Sequence, residues 1–271
     1  MLYALNGSTI RTTPILTQIE AAARAGYAGL EIWFDKVDEH VAGGGSVSEI
    51  RRALDEHGLS VPTCIYLGDW FDTTGDAYQR ALDECQRRFD IAAELGAPYV
   101  IAGPPLGSAP YDLGAQHYRE LLELGARVGV KPSMEFLGFV EQLNTIEEAL
   151  EIITRCAHPD ATTVIDPAHI YRGGGSVESL ALLTSDQIAV AHFDDCPADV
   201  PREIQQDEHR VWPGDGIFDL TRYLQLLRQT GYNRFLSLEL FREDLWSRNP
   251  FHVATEGLEK MRSVVEKTSD N

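Results

Sequence analysis

Val130-Lys131-Pro132-Ser133-Met134-Glu135, Thr162-Thr163-Val164-Ile165-Asp166, Ile188-Ala189-Val190-Ala191-His192 and Phe235-Leu236-Ser237-Leu238-Glu239 are four successive apolar runs, each ending on a carboxylate or an imidazole. A short, β-branched run that closes on a polar group reads as a buried strand delivering that group to one rim of a sheet. Helical patterns separate the four. Rims in series predict a parallel barrel whose C-terminal face gathers Glu135, Asp166, His192 and Glu239 around one divalent cation.

Working outward, the same alternation runs through the chain. Strand cores are expected at Leu2–Leu5, Gly29–Trp33, Val61–Tyr66, Tyr99–Gly103, Lys131–Glu135, Thr162–Asp166, Ile188–Phe193 and Phe235–Glu239. Helices are expected at Pro14–Arg24, Val47–His57, Asp76–Leu95, Leu113–Arg127, Ile146–Ala157, Val177–Leu183, Leu220–Gln229 and Val253–Val265. Eight β-α units without a Pro/Gly/Ser linker predict an α/β fold, a (β/α)8 TIM barrel forming one domain over residues 1–271. The length suits it, since such barrels need about 250 residues. An open doubly wound sheet is the competing architecture, weakened because no G-x-G-x-x-G follows the first strand.

Local signals agree. Thr13 before Pro14 reads as a cap followed by proline at the first helical position. Thr145 and Glu148 have capping-box spacing. Gly26, Gly58, Gly96, Gly129 and Gly231 each follow a helical stretch, where a left-handed cap is needed. The string Gly-Gly-Gly-Ser-Val occurs at 43–47 and again at 173–177, read as two independent loops that each follow a strand and precede a helix.

Lys and Arg number 23 against 42 Asp and Glu, a net charge of −19. That field repels phosphate backbones and anionic lipid surfaces, so neither nucleic acid nor membrane is an expected partner. No apolar run approaches the roughly 20 residues of a membrane span, and the first ten residues carry no signal-peptide pattern. Cys64, Cys85, Cys156 and Cys196 are scattered, which reads as free thiols in a reducing cytoplasm. A homo-oligomer is compatible with all of this.

Two glutamates, one aspartate and one histidine form an oxygen-rich set suited to Mn²⁺, Zn²⁺ or Mg²⁺, with positions left open for substrate oxygens. His169, three residues after Asp166, is expected to donate to a substrate oxyanion. His40, His57, His117, His158 and His252 read as surface residues. Asp194 and Asp195 read either as partners that orient His192 or as solvated loop carboxylates. The long connection 194–219 holds Arg210-Val211-Trp212-Pro213-Gly214-Asp215-Gly216, expected to be an ordered wall of the active site. Trp33, Tyr66, Trp70, Phe71, Phe136, Trp212 and Phe241 follow strands and are expected to wall a pocket for the C–H face of a polyol; Arg210, Trp212, Trp33 and Tyr66 are the expected substrate-binding residues.

The segments Met134-Glu135-Phe136, Val164 to His169, His192-Phe193-Asp194-Asp195, Arg210 to Gly216 and Leu238 to Arg242 resemble the xylose-isomerase-like barrel superfamily of sugar isomerases and epimerases. The H-x-D-D, R-V-W-P-G and S-x-E-L-F-R strings are most similar to the inosose isomerases of myo-inositol catabolism. Related inosose and 3-dehydroshikimate dehydratases share much of the pattern. The resemblance is dense from Lys131 to Leu245 and thin before it, touching Asn6 and Glu31. It implies the metal ligands already named, a substrate role for His169 and Arg210, and proton transfer by Glu135 and Glu239. The chain departs from the inosose isomerases at Gly138-Phe139-Val140, where they carry a histidine.

The expected activity is therefore a metal-dependent isomerase or epimerase of a small keto-polyol. Proton transfer through an enediolate would use the two glutamates, and which of them is the base stays open. Dehydration, by loss of a β-hydroxyl from the same enolate, is the rival. An apurinic endonuclease would need more metal histidines and a basic face. A non-catalytic sugar-binding barrel would not need the four-ligand set.

Overall fold

Eight parallel strands pair in chain order and close on themselves: β1 (Leu2–Asn6), β2 (Gly29–Trp33), β3 (Thr63–Leu67), β4 (Tyr99–Ala102), β5 (Lys131–Glu135), β6 (Thr162–Ile165), β7 (Ile188–His192) and β8 (Phe235–Leu238). Closure comes from β1 against β8, with Leu2 opposite Phe235 and Leu5 opposite Leu238. The fold is thus the TIM barrel expected from the strand ends. The structure, a computed structural model, describes residues 1–269. The last two residues of the expected 1–271 span lie outside the described residues. Among the described residues no helix is long and apolar enough to cross a membrane.

The helices are α1 (Ile15–Ala25), α2 (Phe34–Ala42), α3 (Val47–His57), α4 (Gly75–Leu95), α5 (Tyr111–Ala126), α6 (Ile146–Cys156), α7 (Pro167–Gly173), α8 (Leu220–Gln229), α9 (Glu243–Trp246) and α10 (Pro250–Ser269). Their apolar stripes face the barrel. In α6, Ile146, Ala149, Ile152, Ile153 and Cys156 are buried, the spacing of one helical face. Each large aliphatic side chain so buried contributes about 1.5–3 kcal/mol. Inside the barrel a small separate cluster of Ile65, Ile101, Val164 and Val190 plugs the core.

The ends of the helices follow the sequence in most places. Ser46 and Glu49 form a reciprocal capping box on α3, a cap of about 1 kcal/mol. Gly26, Gly58, Gly96, Gly129 and Gly231 all have positive φ. Some readings change. The first helix begins at Ile15, with Pro14 at the cap position and no side-chain cap. Thr145 accepts the Glu148 N–H, but Glu148 reaches back to the N–H of Asn144 instead of Thr145. Helix α2 was not expected, because it runs straight on from Trp33 with no capping side chain to announce it. The first Gly-Gly-Gly-Ser-Val string therefore follows α2, and the second overlaps the end of α7, so neither follows a strand directly. Val177–Leu182 is a 3₁₀ turn rather than an α-helix.

Candidate metal centre and active site

The ends of β5, β6, β7 and β8 bring Glu135, Asp166, His192 and Glu239 together. One potential ligand atom from each lies within 4.8 Å of all the others. His192 Nδ1 is 3.0 Å from Glu239 Oε2, 3.1 Å from Asp166 Oδ2 and 3.5 Å from Glu135 Oε1. A tetrahedral cation with bonds of about 2.1 Å needs ligand atoms roughly 3.4 Å apart. The three His192 distances are already close to that spacing.

Asp166 has two tasks. Its Oδ1 accepts the N–H of His169 at 2.9 Å and caps α7, with Pro167 at the first helical position, while Oδ2 faces the cluster. Asp-Pro at a strand end is both a cap signal and a ligand signal, and the structure uses both.

The electrostatics call for a cation. Glu31, Glu135, Asp166, Asp194 and Glu239 crowd around His192 and Arg210. Burial, together with Glu239 and Asp166, pushes Glu135 well above the usual carboxylate range. Burial and the Asp166 charge do the same to Asp194. Burial also pulls His192 down, but Glu239, Glu31 and Asp166 overcome it and lift the imidazole well above its ordinary value. Glu135 Oε1 is buried with no hydrogen-bond partner. A surplus of buried carboxylates with an orphaned oxygen is costly unless a cation compensates it. The donor set suits a divalent ion.

Arg210 is the hub of the site and is only 2% exposed. Its Nη1 donates to Glu239 Oε2 at 2.6 Å and to Asp166 Oδ2 and Asp194 Oδ2 at 2.8 Å. Its Nη2 donates to Asp207 Oδ1 at 2.7 Å and faces His169 Nε2 at 3.1 Å. His169 Nδ1 accepts the N–H of Gly138 at 3.2 Å. Burial, with Arg210 nearby, lowers the pKa of His169, so the ring is neutral at physiological pH.

The loop that carries Arg210 is ordered by Asp195. Its carboxylate accepts the N–H groups of Cys196, Gly214, Gly216 and Phe218. Gly216 is needed there, since a Cβ would lie 2.3 Å from the Cys196 carbonyl oxygen and 2.4 Å from Asp195 Oδ1. Asp194 accepts from Arg210 and from the Ala168 N–H. Both aspartates are therefore structural anchors of the site, and neither is a solvated loop carboxylate.

A cavity of about 500 Å³ opens over the cluster. Glu135, Glu239, His169 and Arg210 line its floor, and Trp33, Tyr66, Phe139 and Phe241 stand in its wall. Phe139 occupies the segment where the resemblance fails, edge-on to His169 at 5.6 Å. Trp212 is a correction: it is 6% exposed, packs in the main core near Leu238 and Gly257, and does not line the cavity. Its place after β7 suggested a wall, but the backbone of the loop turns the indole toward α10. Trp70 and Phe136 are likewise fully buried core. His117, expected at the surface, is buried, with Nδ1 near the carbonyl oxygens of Trp70 and Phe71.

Asn6 and Glu31 are the residues that sequence reading undervalued. Asn6 Nδ2 donates to Glu239 Oε1 at 2.8 Å and to Glu31 Oε1 at 3.1 Å. Asn6 follows the rule used for the second half of the chain, a polar residue at the rim of an apolar strand, whereas Glu31 lies in the middle of β2. Asp207 was also missed, because nothing in the sequence of this polar loop marks one acidic residue over its neighbours.

The profile of the xylose isomerase-like TIM barrel family matches residues 19–264, and the chain belongs to that family. It is 26% identical to an inosose isomerase of Bacillus velezensis over 269 residues, covering 96% of this chain and 95% of that one. It is 28% identical to a 3-dehydroshikimate dehydratase of Pseudomonas aeruginosa over 94% of this chain, which spans only 40% of that protein. The crystal structure of the IolI protein with a bound zinc atom superposes with a TM-score of 0.91 at 25% identity, over 99% of both chains.

Proposed function

We propose that this chain is a divalent-metal-dependent isomerase or epimerase of a neutral keto-polyol, an inosose or a ketose. The carrying observation is that Glu135 and Glu239 reach the same cavity floor from β5 and β8, beside the ligand cluster, with His169 and Arg210 at their side. The inosose isomerase relatives and the zinc-bound structural neighbour support the reading.

Glu135, Asp166, His192 and Glu239 would hold the ion, Mn²⁺, Zn²⁺ or Mg²⁺. When bound, it would supply Lewis acidity, making the C–H beside a ketone easier to deprotonate. The residues then divide the work. Glu239 has both carboxylate oxygens occupied, by Asn6 and Arg210. Glu135 lines the cavity floor with no hydrogen-bond partner on Oε1. We assign Glu135 the first proton removal and Glu239 the opposite side of the transfer. His169 and Arg210 line the floor where the enediolate oxygens would develop. Trp33, Tyr66 and Phe241 exclude water and offer faces to the C–H side of a sugar ring.

The charge of the cavity favours a neutral substrate. Asp69, Asp72 and Asp207 join the two glutamates in lining it, and Arg210 is the single permanent cation among the described lining residues. Its two terminal nitrogens are held by Asp166, Asp194, Asp207 and Glu239. A polyol would meet carboxylate acceptors for its hydroxyls, while a bound divalent cation would offset part of the like charge that a carboxylate substrate such as 3-dehydroshikimate meets. Dehydration of an inosose is the second reading, because it begins with the same proton removal.

The rest of the reading is of one domain over 1–271, since β1 closes against β8. The free cysteines go with a cytoplasmic setting. The partners are small sugars or polyols rather than nucleic acid or membrane, and a homo-oligomer is compatible with the fold. The test is to incubate the zinc- or manganese-loaded protein with a panel of ketoses, inososes and 3-dehydroshikimate. An isomerised or epimerised neutral sugar supports the proposal. Turnover of 3-dehydroshikimate alone, or water loss from every substrate accepted, replaces it with the dehydratase.

A further inference from the structure

The ring of His192 has two faces to satisfy. Nδ1 points into the ligand cluster. Nε2 is buried, with no partner in strict hydrogen-bond geometry, and its nearest acceptor is Glu31 Oε1 at 3.4 Å. Glu31 comes from β2, on a different part of the barrel wall, and is itself fully buried. It does not line the cavity and is not one of the four clustered ligand residues.

Three neutral donors fix Glu31 in place. Thr63 Oγ1 donates to Oε2, and Ser237 Oγ and Asn6 Nδ2 donate to Oε1. They come from β3, β8 and β1, so four strands meet on one carboxylate. Oε1 takes two of these donors, and Nε2 of His192 approaches that same oxygen as a third, at 3.4 Å. The same Asn6 amide donates to Glu239 Oε1, and Asn6 Oδ1 accepts the indole N–H of Trp33 in the cavity wall.

We propose that Glu31 is the positioning residue that keeps the proton of His192 on Nε2, so that the Nδ1 lone pair is presented to the cation, with Asn6 registering Glu31 and Glu239 to one another. This rests on the reading of the cluster as a metal centre. The physical reason is tautomer control. An imidazole that ligates a cation is neutral and carries one proton, and an acceptor fixed on one nitrogen decides which nitrogen can ligate. Glu31 supplies that acceptor from a carboxylate that cannot turn, because three strands hold it. The first two strands of the barrel thereby set the geometry of ligands from the last two.

The experiment uses the full chain labelled with ¹⁵N-histidine, with and without zinc, as wild type and as Glu31→Gln. Glutamine has the same shape but puts an N–H donor among donors. Zinc affinity, measured by competition with a chelator, should fall about 10–100-fold in Glu31→Gln. The zinc-bound wild-type spectrum should show His192 protonated at Nε2 alone, that proton should exchange slowly with or without zinc, and the variant should lose the slow exchange. If Glu31→Gln does not fold, Thr63→Val and Ser237→Ala each remove one donor to Glu31. Folded by circular dichroism, each should bind zinc several-fold more weakly. Wild-type affinity in the folded variants, or zinc on Nε2 with the proton at Nδ1, overturns the inference. A wild-type protein that binds no zinc refutes the metal reading instead. The Nε2 proton then still decides for Glu31 if its slow exchange depends on that residue, and against it otherwise.

Discussion

Arg210 Nη1 lies 2.6 Å from Glu239 Oε2 and 2.8 Å from Asp194 Oδ2, so one nitrogen ties a cavity glutamate to an aspartate beneath the floor. Removing the guanidinium strands buried carboxylates. Arg210→Ala should cost about 3–5 kcal/mol of stability, read as a lowered midpoint in urea unfolding. Arg210→Lys should recover only part of it, because an ammonium cannot span Asp166, Asp194, Asp207 and Glu239 from one rigid fork. A fully stable Arg210→Ala would show that the network is not what holds the loop.

Asp195 and Gly216 make a second prediction. Gly216→Ala forces a methyl against the Cys196 carbonyl and the Asp195 carboxylate, an overpacking worth about 1–3 kcal/mol. Amide exchange over residues 196–218 should speed up, while that of the β-strands stays as in the wild type. Unchanged protection in the loop would mean that Asp195 does not order it.

Trp33 and Trp212 should separate binding from packing. Trp33 lines the cavity and donates to Asn6 at 2.8 Å. Trp33→Phe should raise KM for an accepted sugar several-fold through the lost ring face, and should cost only about 1 kcal/mol of stability as the bond to Asn6 goes. Trp212→Ala removes a core indole and should cost about 3–5 kcal/mol. Equal effects of both on KM would restore Trp212 to the pocket wall.

All four cysteines are free and buried. Burial pushes Cys85 up to about 12 and raises Cys64, Cys156 and Cys196 as well. At neutral pH an aromatic disulfide reagent should label none of them in the native protein and all four after denaturation. Rapid labelling of one thiol in the native state would mark a local opening that the structure does not contain.

The residues that made the fold legible are those whose strand ends on a polar group. Asp166, His192 and Glu239 could be read because each breaks an apolar run, and Glu135 because it follows Met134 in one. Asn6 carries the same mark, but the resemblance there is thin, and Glu31 lies inside β2, where no strand end singles it out. Helix α2 was hidden because Trp33 leads into it without a cap. Trp212 was misplaced because sequence gives its position after a strand but not the turn made by Pro213-Gly214. Asp195 could not be recognised as the loop anchor, since its four donors are backbone N–H groups that no side-chain pattern encodes.

The most direct measurement of the central claim is deuterium transfer during turnover of an accepted keto-polyol by the metal-loaded protein in D₂O. Proton transfer by Glu135 and Glu239 predicts carbon-bound deuterium in the product or recovered substrate. That incorporation should be lost on treatment with a chelator and depressed at least a hundredfold in Glu135→Gln and Glu239→Gln. Turnover that keeps a deuterium placed on the substrate carbon and takes none from solvent would show a hydride shift, and would contradict the account.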